Sequence, residues 1–362
     1  MKPTSLNSLT GLRGIAAWLV VLYHFKEFLP TATPHWVGVP IALGYLAVDL
    51  FFILSGVVLY LNYHASFERP TVAGTLNFHC RRIARIYPLH LAVLLLFLLN
   101  PLAIALFSSS GDLGDRYGLG YYLMSLVLVQ NWGFTSDIAW NVPAWSISTE
   151  FAAYLLFPML VWLVKRASRL GALGLPLLMV ALIGGLAATF VVAGVPSVGE
   201  AIARMGLVRC LLEFSMGLVI GYYWVNHSER VAARSGWALG IVVVSVVAMG
   251  AGWRVADYVV APALFCLLVV ALLDQRRSWS RLLSSRPLLF LGEVSYSTYL
   301  IHYFVKDWVK FLSPQVGAAQ WLAYLIVVMV SSVVLYRLVE LPFRSRLYDW
   351  LSRSSSGAHV AQ

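Results

Sequence analysis

Apolar runs about long enough to cross the hydrocarbon core of a bilayer recur along the whole chain, and they constrain the fold more than any other feature. They fall at 12–30, 41–61, 87–107, 149–164, 172–193, 207–225, 237–253, 258–273, 290–308 and 319–338. Hydrophobic residues make up 60% of the 362 residues and charged ones only 12%, too few polar groups to cover a water-soluble body of this length. A soluble enzyme and a disordered chain are therefore excluded. The expected fold is all-α: a polytopic transmembrane helix bundle of about ten spans. The net charge of +10 would suit a nucleic acid, but in so apolar a chain it is read as membrane topology, and no nucleic-acid partner is expected. Cys80, Cys210 and Cys266 are too few and too scattered for a disulfide framework or a zinc site, and no metal is expected.

Charge asymmetry arbitrates the topology. The segment 119–147 starts with a short apolar stretch and continues as Asn131-Trp132-Gly133-Phe134-Thr135-Ser136-Asp137. If it does not cross, most of the 26 basic residues fall on one side, among them Arg81, Arg82, Arg85, Lys165, Arg166, Arg276 and Arg277. If it crosses, that excess disappears. The positive-inside rule thus favours ten spans with both termini cytoplasmic, and an outer or re-entrant 119–147 packed against protein. The spans would form one membrane domain over 1–345, followed by a short cytoplasmic tail at 346–362 whose composition reads as disordered. The expected location is the bacterial inner membrane.

An ionisable side chain at membrane depth is costly unless it has a partner or a water-lined cavity. Arg13, His24, Asp49, Glu150 and His302 are five such side chains. Arg13 and His24 are eleven residues apart, so they share one face of the first helix, roughly 16 Å apart along its axis. By the same ruler His24, Asp49 and His302 lie about 9–12 Å below the outer boundary, with Glu150 just above them. Four helices delivering acid and base groups to one depth suggests a single polar cavity. Each also has a plainer reading. His24 can be a hydrated interfacial histidine, Asp49 a bond pinning two helices, Glu150 a helix-start acid, and His302 a hydrogen bond across helices.

A second feature is basic. Arg82 and Arg85, in His79-Cys80-Arg81-Arg82-Ile83-Ala84-Arg85-Ile86-Tyr87-Pro88, project to one side of a helix and suit a polyphosphate ligand. Ordinary inside-positive charge or anionic lipid binding is the competing reading. With Arg13 at the same level, these residues describe an inner anion site joined through the bundle to an outer acid–base site. That arrangement fits group transfer from a phosphate-bearing donor, and it also fits a proton-coupled transporter or flippase, although no inverted repeat is visible.

Five ordered stretches resemble the acyltransferase-3 family of membrane acyltransferases. They are Leu9-Thr10-Gly11-Leu12-Arg13-Gly14 with His24 beyond; Val48-Asp49-Leu50-Phe51-Phe52-Ile53-Leu54-Ser55-Gly56; Arg81 to Pro88; Trp145-Ser146-Ile147-Ser148-Thr149-Glu150; and Ser295-Tyr296-Ser297-Thr298-Tyr299-Leu300-Ile301-His302, closed by Glu340-Leu341-Pro342-Phe343. Ile147 and Leu341 depart from the family pattern, which has Leu and Arg there. The resemblance implies acyl transfer, usually of acetyl from acetyl-CoA, onto a hydroxyl of a sugar or another cell-envelope or secreted molecule. By position, it makes His24 the essential histidine, Arg13 its paired arginine, and Arg82 with Arg85 the cytoplasmic pair that holds acyl-CoA. His24 is then expected as general base, oriented by Asp49 or Glu150, or as the site of a covalent acyl group. Ser55, Ser146 or Tyr299 would bond the oxyanion or the sugar, and His302 and Trp145 complete the expected substrate contacts. The aromatic residues of 119–147 are candidates for an acceptor groove or for interfacial anchors.

Overall fold

A computed structural model describes residues 6–29, 33–68, 70–107, 114–250, 255–313 and 317–346. Among them there are fourteen α-helices and no strand. The helices are α1 (Asn7–His24), α2 (His35–Ala42), α3 (Ala47–Tyr63), α4 (Val72–Leu96), α5 (Leu99–Phe107), α6 (Leu119–Leu126), α7 (Trp145–Ser168), α8 (Gly174–Ala193), α9 (Ile202–Gly250), α10 (Asp257–Leu273), α11 (Ser278–Leu283), α12 (Arg286–Glu293), α13 (Ser295–Leu312) and α14 (Ala318–Leu335). A π-helical turn, Tyr336–Glu340, continues α14. The expected tail at 346–362 lies outside the described residues from 347 onward.

Six helical stretches are long and apolar enough to cross a membrane: His35–Phe67, Val72–Phe107, Val142–Ser168, Gly174–Ala193, Ile202–Gly250 and Ala318–Arg346. The other expected runs are helical, but they fall short of that standard for specific reasons. Helix α10 has only 17 residues. Helices α1 and α13 carry the ionisable groups of the site. The expected run 207–225 and the described part of 237–253, to Gly250, belong to one helix that breaks at His227, where φ is −145° and ψ is 38°. The expected span 290–308 divides at Val294 into α12 and α13. Helix α4 begins fifteen residues before the expected 87, so the arginine stretch is helical throughout and contains Pro88.

Apolar side chains on the outer helices face away from the protein. Leu177, Val180, Val191 and Val192 on α8, Val243, Val244 and Val247 on α9, and Leu322, Ile326 and Val330 on α14 are all exposed. Surfaces this apolar are stable only against lipid, so the chain is a multi-pass integral membrane protein.

Backbone contact between glycines fixes the inner helices. A Cβ on Gly56 of α3 would lie 2.1 Å from the Phe214 carbonyl of α9, and one on Gly217 would lie 2.1 Å from the Ile53 carbonyl. The two helices therefore pack backbone to backbone, as small residues allow in membranes. Likewise a Cβ on Gly14 of α1 would lie 2.7 Å from the Gly292 nitrogen of α12. This second contact sets α1 beside the α12–α13 junction, and it decides which residues of α13 meet Arg13 and His24.

The segment 119–147 comprises the short α6, an irregular stretch and a 3₁₀ turn, Val142–Ala144, leading into α7. It packs against protein, as expected. The Asn131 N–H donates to Ser148 Oγ at 3.1 Å, and Ser148 Oγ–H donates to the Leu128 carbonyl at 2.8 Å. Irregular backbone inside a membrane protein needs such internal partners.

Candidate active site

Helix α1 carries Arg13 and His24 on one face, as their spacing requires, and α13 supplies a partner to each. Arg13 Nη2 donates to Ser295 Oγ at 3.0 Å and to the Gly292 carbonyl at 3.3 Å. Eleven residues further along, His24 Nδ1 lies 3.0 Å from the Val20 carbonyl and 3.2 Å from His302 Nε2. The fully buried His302 places its own Nδ1 2.7 Å from the Tyr299 carbonyl.

These contacts determine the tautomers of a neutral pair. A carbonyl only accepts, so the proton of His302 sits on Nδ1, facing Tyr299. Its Nε2 is then an acceptor. His24 Nδ1 faces two acceptors, Val20 and His302 Nε2, so it carries the proton of that ring. His24 Nε2 is left with a free lone pair, the form a general base requires. Tyr23 and Tyr303 hold the ring edge-on, with centroids 5.2 and 5.4 Å away.

Next to this pair is a cavity of about 200 Å³. Its charged lining is Arg13, Arg82, Arg85 and Glu150, and its far wall includes Ser55, Ser146 and Tyr299. Arg82 and Arg85 come from α4 at i and i+3. Arg85 is ion-paired with Glu340 of the π turn, which in turn accepts from Ser297 Oγ at 3.0 Å. Arg82 donates to Tyr63 Oη at 2.9 Å, and its buried Nε has no partner. Among the described residues neither Arg13 nor Arg82 has a carboxylate partner. Two such guanidinium groups aimed into one cavity make a seat for an anion.

Two hydroxyls mark the boundary between cavity and imidazole pair. Tyr299 Oη and Ser146 Oγ lie 2.8 Å apart, and both hydrogen-bond the Pro143 carbonyl, at 3.0 and 3.1 Å. Tyr299 lines the cavity while its ring centroid lies 6.0 Å from that of His302. His24 and His302 do not line the cavity, which ends one aromatic ring short of them.

Comparison with known proteins gives the same direction. The family model of the acyltransferase domain matches residues 6–337. The chain belongs to the acyltransferase-3 family. Acyltransferase MdmB of Streptomyces mycarofaciens is 31% identical, over 93% of this chain and 91% of its own. O-acetyltransferase OatA of Staphylococcus aureus is 23% identical over 95% of this chain, which spans 58% of OatA. No solved structure matches. The protein is an acyltransferase.

Not every side chain expected at the site of this acyltransferase reaches it. Asp49 does not meet His24. Both its oxygens are taken by Arg209, at 2.6 and 2.7 Å, in a pair that is fully buried and capped by the Val198 carbonyl. A buried bidentate pair of this kind pins α3 to α9, which is the plainer of the two readings the sequence left open. Glu150 lines the arginine cavity, where its Oε1 accepts from Ser55 and Tyr154 at 2.5 Å each; it does not touch His24. The side chain that meets His24 is His302 instead. Trp145 is buried against Phe52, with the Arg209 guanidinium 5.5 Å from its ring. Tyr121, Tyr122 and Trp140 are buried as well, whereas Phe134 of the same stretch is exposed. Sequence reasoning passed over Arg209 and the buried Glu213, whose Oε1 lies 3.9 Å from Arg209 Nε. It also passed over Glu340 as the partner of Arg85.

Proposed function

We propose that the protein moves an acetyl group from acetyl-CoA to a hydroxyl of a sugar or glycan of the cell envelope, or of a secreted glycoconjugate. The observation that carries this reading is the placement of a carboxylate-free arginine pair, Arg13 of α1 and Arg82 of α4, at one level of the bundle, and of His24 with an open Nε2 further along α1. The phosphates of the donor sit with Arg13 and Arg82, and Arg85 completes the arginine cluster. The pantetheine arm runs through the cavity and points its thioester at Tyr299. A turn of the Tyr299 side chain then opens the last few ångströms to His24. The topology that goes with this has ten crossings, both termini in the cytoplasm, and the basic end of α1 on the cytoplasmic side of a bacterial inner membrane.

In the chemical step His24 Nε2 takes the acceptor hydroxyl proton as its oxygen bonds the thioester carbon. His302 holds the ring through the Nδ1–H contact and steadies the imidazolium that forms. Once Tyr299 has turned and released the Pro143 carbonyl, its hydroxyl is free to donate to the developing oxyanion. When the tetrahedral intermediate collapses, the C–S bond breaks and the imidazolium proton passes to the coenzyme A sulfur. The products are the ester and the free thiol, and the histidine is regenerated. Among the described residues no group of three His, Cys, Asp or Glu could hold a metal, and this route needs none.

The test is transfer of labelled acetyl from acetyl-CoA, in membranes carrying the protein, to extracted glycan. Wild type should label the glycan, and His24→Ala should lose about 10²- to 10⁴-fold in rate while remaining folded in the membrane. Wild-type turnover in His24→Ala would remove the base assignment. Absence of glycan label from wild type would remove the acceptor class.

A further inference from the structure

A second cavity, of about 310 Å³, lies beyond the histidine pair, away from the arginine cavity. It is lined by Asn100 of α5, by Arg116 and Tyr117 of the 3₁₀ turn Asp115–Tyr117, and by Asp307, Trp308 and Lys310 of α13. One aromatic ring separates it from the reacting base. The Arg116 guanidinium carbon lies 5.5 Å from the Tyr303 ring centroid, and that ring lies edge-on to His24 at 5.4 Å.

The chemistry of the lining is that of a neutral polyhydroxylated ligand rather than an anion. Asp307 cancels Arg116 by ion-pairing with it, and Lys310, the other cation of the lining, is ion-paired with Glu27. Asn100 Nδ2 donates to the same oxygen, Oδ2, at 3.1 Å, and the Trp308 indole N–H donates to Asn100 Oδ1 at 2.9 Å. Among the described residues Asp307 Oδ1 accepts no hydrogen bond, and the buried Arg116 Nε donates none. An open acceptor therefore stands in a preorganised network. Beside it stand the Trp308 and Tyr117 rings, whose flat apolar faces suit the C–H face of a pyranose. The size fits too. With about 30 Å³ per water-sized group the cavity holds roughly ten such groups, close to the ~12 heavy atoms of one hexose.

We propose that this cavity is the acceptor subsite, binding one sugar ring of the molecule whose neighbouring hydroxyl is presented to His24. The proposal rests on the acyl-transfer reading and names where its acceptor is held. Asp307 Oδ1 takes a sugar hydroxyl, and Trp308 carries the ring face. Donor and acceptor thus approach the histidine pair from opposite ends, which keeps the thioester away from water until the sugar has displaced it.

Photolabelling tests this directly. The purified full-length protein in lipid nanodiscs is irradiated with diazirine-bearing disaccharides ending in glucose, galactose or N-acetylglucosamine, with no acetyl-CoA present. Labelled positions are then mapped by mass spectrometry. At least one probe should label Leu99–Phe107 and 307–311. Trp308→Ala should cut that label about tenfold while retaining coenzyme A binding, which reports that the variant is folded. Asp307→Asn, which preserves shape and removes the open carboxylate, should cut it by several-fold. Label elsewhere, label unchanged in both variants, or no label with any probe would overturn the subsite. Sugar capture here with no acetyl transfer from acetyl-CoA in the separate transfer assay would instead spare the subsite and remove acetyl-CoA as the donor.

Discussion

The contact between His24 and His302 makes a quantitative prediction. His302→Ala removes one of the two acceptors facing His24 Nδ1, the one at 3.2 Å, and leaves the Val20 carbonyl at 3.0 Å. A net protein hydrogen bond contributes about 0.5–1.5 kcal/mol. At about 1.36 kcal/mol per decade, kcat/KM should fall roughly two- to thirteen-fold. His24→Ala removes the base itself and should cost about 10²- to 10⁴-fold. Because His302 acts through His24, the two losses should not add: in the His24→Ala background, His302→Ala should change the residual rate by less than twofold. His302→Gln, which offers an amide oxygen to His24 and an amide N–H to Tyr299, should recover most of the rate. Labelled acetyl transfer in membranes, normalised to folded protein, measures all four variants. A His302→Ala enzyme at the full wild-type rate would refute the positioning role. One as inactive as His24→Ala would make His302 itself the proton carrier.

Three further outcomes follow from other parts of the bundle. Arg82→Ala removes a charge-assisted contact of about 1.5–3 kcal/mol to a donor phosphate, so steady-state kinetics should show KM for acetyl-CoA rising about 10- to 150-fold with acceptor KM unchanged; an unchanged donor KM would dismiss the phosphate role. Asp49→Ala breaks the buried bidentate pair and leaves Arg209 only the looser contact with Glu213 at 3.9 Å; breaking a buried pair costs about 3–5 kcal/mol, so thermal melts in detergent should show a large fall in Tm while the protein that remains folded turns over near the wild-type rate. Gly56→Val places side-chain carbon where the Phe214 carbonyl now lies, and it should lower the yield of folded protein severely, as read by size-exclusion profiles of detergent extracts.

The sequence made the helical membrane fold and much of the site legible because both depend on local spacing. The eleven-residue interval puts Arg13 and His24 on one face whatever else the chain does, and the i, i+3 interval does the same for Arg82 and Arg85. Partners between helices were not legible. Asp49 is joined to Arg209 across 160 residues, and His24 to His302 across 278. The depth ruler placed Asp49 and His302 at one level, yet depth carries no azimuth around a helix. The ruler therefore could not tell that Asp49 faces α9 while His302 faces α1. The azimuth is set by the glycine contacts at Gly14 and at Gly56, whose effect depends on the backbone opposite. The acceptor side was hidden for a similar reason. Most aromatic residues of 119–147 pack inward, Phe134 excepted, whereas the proposed sugar cavity gathers residues from α5, α13 and a three-residue turn, none of which forms a motif by itself.

The central claim is that a thioester arriving past the arginines reaches His24. A structure of the protein with a non-hydrolysable acetyl-CoA analogue tests it most directly. The account predicts phosphates beside Arg13 and Arg82, a rotated Tyr299 side chain, and the acyl carbonyl carbon about 3–4 Å from the position a His24-bound hydroxyl would occupy. An analogue bound with Tyr299 still closed on Ser146, its acyl group stopped in the arginine cavity, would contradict it.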